Sequence, residues 1–317
     1  MSKALKILSR PQGNAEEYGR WAVNPYKGCS HNCAYCYLKK GVWANGLGGS
    51  TAQLKTGVVN EEHAYHLAMA EIIENRDEII RDGGLFMTFT SDPMLHETRR
   101  LFIDIMRGCA KRDIPVTMLT KQTNLVLGII KNLREDILYA DENGVRVSDY
   151  DYHYLRNVAL GWTLTGHDEL EPNAPTNAQR IEEMASIQKY VCSDYIKTWA
   201  SIEPVIDFDS SYKMITEALD AGCKHFKIGL LTNNTHLVRK SFQFGEHKFD
   251  AYKIEDCMGF ITDVWNVTNG RATVYWKQSV RDLLGTVYTT AAVDEILNQS
   301  NAVGKDWNMF GDGVTQE

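Results

Sequence analysis

Cys29, Cys33 and Cys36 stand in the stretch Asn24 to Tyr37, NPYKGCSHNCAYCY, with three residues and then two between successive thiols. A loop of that spacing can wrap three thiolates around three corners of a cubane iron-sulfur cluster and leave the fourth iron without a protein ligand. An open iron is a place for chemistry. Three cysteines within eight residues would also supply most of a tetrahedral zinc site, with His31 or a distant residue as fourth ligand. Zinc usually draws on two C-x2-C-like knuckles, however, and Cys109, Cys192, Cys223 and Cys257 are all isolated. The loop therefore reads as a [4Fe-4S] site and His31 as a solvated loop residue. Seven cysteines is an odd number, and no signal peptide is evident, so the expected compartment is the reducing cytoplasm rather than one that favours disulfides.

The elements that must position this loop are legible as short β-rich runs alternating with helical patterns through residue 231. That alternation is the mark of βα units on a parallel sheet. Expected strands are Trp21 to Lys27, Leu85 to Thr90, Val116 to Thr120, Val158 to Thr165, Lys197 to Ile202 and His225 to Leu231. Between them, Leu101, Ile105 and Cys109 recur at helical spacing, as do Tyr212, Ile215 and Leu219. Thr176 with Gln179 forms a capping-box pattern, and Gly222 closes the following helix. Residues 41 to 57, GVWANGLGGSTAQLKTG, lack the spacing of a phosphate loop and read as a flexible excursion or lid beside the cysteines. Residues 136 to 157 read as a polar insertion. Beyond residue 231 the pattern changes to a helix around Tyr252 to Val267 and a hairpin or strand at Arg271 to Trp276.

The strand ends carry a second ring of motifs. Strand two runs into Ser91-Asp92-Pro93, then Glu97, Thr98 and Arg99; strand three ends in Thr120-Lys121; strand four ends in Thr163-Leu164-Thr165 and leads to Leu170-Glu171-Pro172 and Arg180. Together with the cysteine loop this order resembles the spore photoproduct lyase-like (DNA repair photolyase-like) branch of the radical S-adenosylmethionine (SAM) superfamily, over roughly residues 20 to 230. The resemblance implies an α/β fold: a partial (β/α)6 TIM-like barrel over residues 1–231, with a C-terminal α+β extension over 232–317 covering the barrel mouth. It implies a [4Fe-4S] cluster on Cys29, Cys33 and Cys36, and SAM chelating the open iron through its amino and carboxylate groups. Reductive cleavage of SAM then yields a 5′-deoxyadenosyl radical that abstracts a hydrogen atom from substrate.

Residue by residue, the resemblance gives Ser91 and Lys121 to the polar groups of SAM, Thr163 a further hydrogen bond, and Tyr35 a backbone approach to the adenine. Asp92, Glu171, Arg180 and Glu203 are further cofactor-site candidates near the barrel mouth. Lys227, alone in an apolar run, is either a paired core charge or a site residue. Two departures stand out. Thr90 occupies the place of the branch's hydrogen-donating cysteine, and KQTNLVLG replaces an Arg-Asp pair after the third-strand lysine. A threonine O–H bond is too strong to donate a hydrogen atom readily, so a repair-type mechanism needs another donor, for which Cys257 is a candidate. The expected course is instead resolution of the substrate radical by rearrangement, fragmentation, oxidation or return of hydrogen from 5′-deoxyadenosine. Cys223 and Cys257 are too few and too far apart for an auxiliary-cluster domain.

Composition bounds the substrate. Lys and Arg number 34 against 41 Asp and Glu, a net charge of −7 that argues against a globally basic nucleic-acid binder. Residues 95 to 135 nevertheless hold eight basic against four acidic side chains. These read either as a nucleic-acid surface or as the solvated face of one helix carrying Arg99, Arg100, Arg107, Lys111 and Arg112. No run of 18 apolar residues appears, so no membrane span is expected. The expected protein is an oxygen-sensitive radical SAM enzyme of lyase, isomerase or modifying type, reduced by a donor such as flavodoxin or ferredoxin. Its first substrate class, by family analogy, is a nucleic-acid base or nucleotide. The alternatives are a peptide or small metabolite and, in another class, a zinc-stabilised binding module without catalysis.

Overall fold

A computed structural model describes residues 5–123, 156–190, 196–231 and 241–298. Twelve strands occur among them: β1 (Leu8–Ser9), β2 (Ala22–Val23), β3 (Tyr26–Lys27), β4 (Gln53–Leu54), β5 (Leu85–Met87), β6 (Val116–Thr120), β7 (Val158–Thr163), β8 (Lys197–Val205), β9 (His225–Leu230), β10 (Phe242–Phe244), β11 (His247–Phe249) and β12 (Thr273–Trp276). The main sheet has the order β1-β2-β5-β6-β7-β8-β9-β12. All its pairings are parallel except β1 with β2. The six expected strands are thus neighbours in chain order, the arrangement of a partial barrel. The stretch expected as a hairpin or strand at Arg271 to Trp276 supplies β12, a seventh parallel strand against β9.

Alternation along the strands separates two faces. Val23, Met87, Met118, Leu160, Ile202, Ile228 and Val274 join the large core shared with the helices, whereas Ala22, Phe86, Ala159 and Trp199 form a separate inner cluster with Tyr18, Phe89 and Leu119. Gly161 makes the inner packing possible: a Cβ there would lie 2.2 Å from the Trp199 indole. Local signals fix the helices. In the expected capping box the Thr176 N–H donates to Gln179 Oε1 at 2.9 Å and the Gln179 N–H to Thr176 Oγ1 at 3.2 Å, opening the helix Asn177–Tyr190. Asp207 caps the helix Phe208–Asp220 by accepting from the Ser210 N–H at 2.8 Å, and Gly222, at φ +91°, closes it.

Two expectations are corrected. The first strand does not run unbroken from Trp21 to Lys27, because Pro25 has no N–H to continue the ladder. The chain leaves the main sheet after Val23, and β3 pairs antiparallel with β4 instead. Residues 41 to 57 are not a free excursion: they hold the helix Gly41–Gly46 and β4, and they brace the cysteine loop. The residues 136 to 155 of the polar insertion, Cys192, and residues 299–317 lie outside the described residues. No helix among the described residues is long and apolar enough to cross a membrane.

Candidate active site

The cysteine loop follows β3 and is tied to two other segments through its backbone. The Gly28 and Cys29 N–H groups donate to Leu47 O at 2.9 Å and Gly49 O at 3.1 Å, while the Ala34 N–H donates to Leu170 O at 2.8 Å beyond β7. Gly28 has φ +83°, and a Cβ there would stand 2.3 Å from Thr51 O, so only glycine fits this close approach. Cys33 is buried; Cys29 and Cys36 are partly exposed. Burial, then the Asp92 carboxylate, pushes the Cys29 thiol up to about 12, and burial likewise raises Cys33 against the lowering charge of Lys121. Among the described residues no set of three His, Cys, Asp or Glu side chains converges on one point as ligands of a single metal ion. A cubane needs no such convergence, since its three thiolates bind three different irons.

Asp92 holds this region together. Its Oδ1 accepts from the Met94 N–H at 2.8 Å and Thr120 Oγ1 at 2.7 Å, and its Oδ2 accepts from the Lys121 N–H at 2.9 Å and lies 3.0 Å from His31 Nε2. Both oxygens are thereby engaged by protein, so Asp92 positions the ends of β5 and β6 against the cysteine loop. His31 is not solvated, as its sequence setting suggested, but buried, with Nδ1 3.4 Å from Asn173 O. Its ring nitrogens serve the fold rather than a metal. Burial alone would raise the Asp92 pKa, but His31, Thr120 and Met94 hold it at about 2. A folded-state value below the unfolded value of roughly 3.9 contributes stability that is present above that pH and lost as pH falls through about 2. The gap between wild type and Asp92→Asn in urea unfolding should therefore be about 2 kcal/mol near neutral pH and shrink progressively below about pH 4. A gap unchanged down to about pH 2 would contradict it.

Lys121, Glu171, Arg180, Tyr35 and Thr163 meet in a second network. Lys121 Nζ lies 3.9 Å from Glu171 Oε1 and 5.6 Å from the Tyr35 ring centroid. Burial works against the Lys121 charge, yet Cys33 and then Glu171 outweigh it and lift its pKa above the ordinary value. The Tyr35 hydroxyl donates to Glu171 Oε1, and Arg180 Nη2 stands 2.5 Å from Glu171 Oε2. Arg180 Nη1 also donates to the Thr163 carbonyl at 2.9 Å, and neither charged side chain of the pair is exposed. Ser91 Oγ is buried without a hydrogen-bond partner among the described residues.

Glu203 and Cys257 lie apart from this network. Glu203 belongs to a cluster on the other half of the inner face with Tyr18 and Lys277. Cys257 is buried in the helix Ile254–Thr268, and burial pushes its thiol up to about 12. Lys227 lies buried on the inner face, donating to the Glu17 backbone carbonyl at 2.5 Å, with the rings of Tyr18, Trp199 and Tyr275 5.2–5.8 Å from its Nζ. Glu17, Tyr18, Tyr37 and Lys277 were missed by sequence reasoning. Only Lys277, just past the end of a parallel strand, carried a readable signal. The solvated-face reading holds in part: Arg100, Lys111 and Arg112 are exposed, whereas Arg99 and Arg107 are half-buried, and Arg112 donates to Gly108 O at 2.8 Å.

No protein-family model matches the chain, and no curated protein matches it in sequence. Among solved structures it aligns with SuiB of Streptococcus suis bound to S-adenosylmethionine, at 10% identity and TM-score 0.44, over 80% of this chain and 49% of that one. It also aligns with SuiB bound to the precursor peptide SuiA, at 10% identity and TM-score 0.49, over 87% and 53% of the two chains. The chain spans about half the length of these structures.

Proposed function

We propose that this chain is a radical SAM enzyme that carries a [4Fe-4S] cluster on Cys29, Cys33 and Cys36 and takes a hydrogen atom from a peptide or small metabolite. The observation that carries the reading is the Lys121 ammonium just past the end of β6, 3.9 Å from Glu171 and 5.6 Å from the ring of Tyr35 in the cysteine loop. The donor set fits the cluster: three thiols on one short loop, with His31 withdrawn from any zinc role by Asp92 and Asn173. When bound, the cluster and SAM supply an electron and a carbon-centred radical, with flavodoxin or ferredoxin as the class of reductant.

The chain's own residues do the rest. Lys121 offers a charge-assisted bond to the SAM carboxylate, and Ser91 offers a buried hydroxyl that no group among the described residues engages. Glu171, held by Arg180 and Tyr35, keeps the lysine in place. The ordered strand-end residues favour the spore photoproduct lyase-like branch. Thr90 speaks against thiol-terminated repair of a thymine dimer, because its hydroxyl already donates to the Tyr26 carbonyl. A nucleic-acid base is the second substrate reading. It loses ground because the helix Arg99–Ala110 packs its apolar side on the outer core and leaves only Arg100 of its three arginines exposed, Arg99 and Arg107 being half-buried.

Lys121→Ala and Ser91→Ala should retain iron while weakening SAM binding, measured by anaerobic titration calorimetry. The lysine change should cost roughly 1.5–3 kcal/mol and the serine change roughly 0.5–1.5 kcal/mol. Wild-type affinity in Lys121→Ala would remove the lysine from the cofactor site.

A further inference from the structure

We propose that Glu203 is the substrate-anchoring residue of this site and that it takes a nitrogen hydrogen-bond donor, an ammonium or amide N–H, of a peptide-like substrate. The assignment rests on the radical SAM reading above. Along β8, Ala200 and Ile202 enter the outer core while Trp199 faces the inner cluster, and the alternation carries Ser201 and Glu203 to that same inner face. There the two carboxylate oxygens are treated unequally. Oε2 is fixed twice, by the Tyr18 hydroxyl and by Lys277 Nζ at 2.6 Å. Oε1 has no hydrogen-bond partner among the described residues, and 18% of the side chain remains exposed.

Gly229 on β9 lies against the carboxylate: a Cβ there would come within 3.1 Å of Oε1, 3.2 Å of Glu203 Cδ and 2.9 Å of Lys277 Cδ. Contacts link this carboxylate to the cysteine loop: the Tyr37 hydroxyl, next after Cys36, donates to the Phe89 carbonyl, and the Phe89 ring lies 6.2 Å from that of Tyr18, whose hydroxyl holds Glu203 Oε2. A carboxylate anchored at one oxygen and open at the other accepts a charge-assisted bond from N–H. A phosphodiester is a poor fit, since both lysines of this wall are engaged. Lys277 serves Glu203 and, at 3.5 Å, Glu17, while Lys227 serves the Glu17 carbonyl.

The test uses anaerobically reconstituted holoenzyme, dithionite and SAM, with release of 5′-deoxyadenosine as the readout. Its probes are a panel of dipeptide amides with free or acetylated N-termini, and a panel of nucleosides. Dipeptide amides should accelerate release in wild type, and the free-amine and acetylated arms separate an ammonium from an amide donor. Glu203→Gln should reduce that acceleration at least about tenfold while SAM affinity stays within about twofold. Gly229→Ala, whose methyl presses on Oε1 and on Lys277 Cδ without removing the carboxylate, should give the same loss. Tyr18→Phe should raise the KM for the accelerating amide without lowering kcat. A tenfold weaker affinity for SAM in Glu203→Gln would make Glu203 a cofactor contact and overturn the assignment. So would acceleration by nucleosides alone, by no probe, or equally in Glu203→Gln. Wild type that cleaves no SAM overturns the radical SAM reading itself, and wild type that cleaves SAM but fails the other criteria overturns only the anchor.

Discussion

Alanine at any one of Cys29, Cys33 or Cys36 should leave a protein that neither binds about four irons per chain after anaerobic reconstitution nor shows the broad visible absorption of a [4Fe-4S] cluster. The effect is all or none in kind, because each thiolate holds a different iron corner and a cubane with two protein ligands is easily lost. Alanine at Cys109, Cys223 or Cys257 should leave the iron content at the wild-type value. These three are buried and isolated in sequence from the three-cysteine loop. Iron and sulfide analysis with the absorption spectrum checks both halves. Full iron loading of the Cys33→Ala variant, or loss of iron from Cys257→Ala, would each contradict the assignment.

Arg180→Met should destabilise the fold by about 3–5 kcal/mol, the largest stability effect expected from a single change at the site. Arg180 and Glu171 are wholly buried, so removing the guanidinium strands a carboxylate whose remaining support is the Tyr35 hydroxyl and the more distant Lys121. Adding Glu171→Leu removes the stranded charge as well, and a double variant with apolar residues should recover part of the loss. Guanidinium unfolding of the wild type, Arg180→Met and the double variant supplies the comparison. A double variant less stable than Arg180→Met would mean that the carboxylate is stabilising without its arginine, against the burial argument.

The fold was legible where signals are local. β6 begins and ends where the expected strand Val116 to Thr120 does, and the Thr176 capping box depends on residues three apart. The cysteine spacing is local as well. Lys121, Thr163, Glu171 and Arg180 come together because parallel strands deliver their C-terminal ends to one side of the sheet. Long-range pairings were the illegible part. His31 looked like a polar loop residue because its partner Asp92 lies 61 residues away, and Tyr18 reaches Glu203 across 185 residues. Neither distance leaves a periodic trace in the chain. The bracing of the cysteine loop by residues 47 to 51 was hidden for another reason: glycines there permit a close backbone approach, and in sequence the same glycines read as flexibility.

The most direct measurement is product analysis of the reduced, reconstituted protein incubated with SAM in the absence of oxygen. The account predicts 5′-deoxyadenosine and methionine in equal amounts, formed by wild type and absent in Cys33→Ala. A chain that binds zinc stoichiometrically, takes up no iron and leaves SAM intact would contradict it and restore the zinc-stabilised binding module.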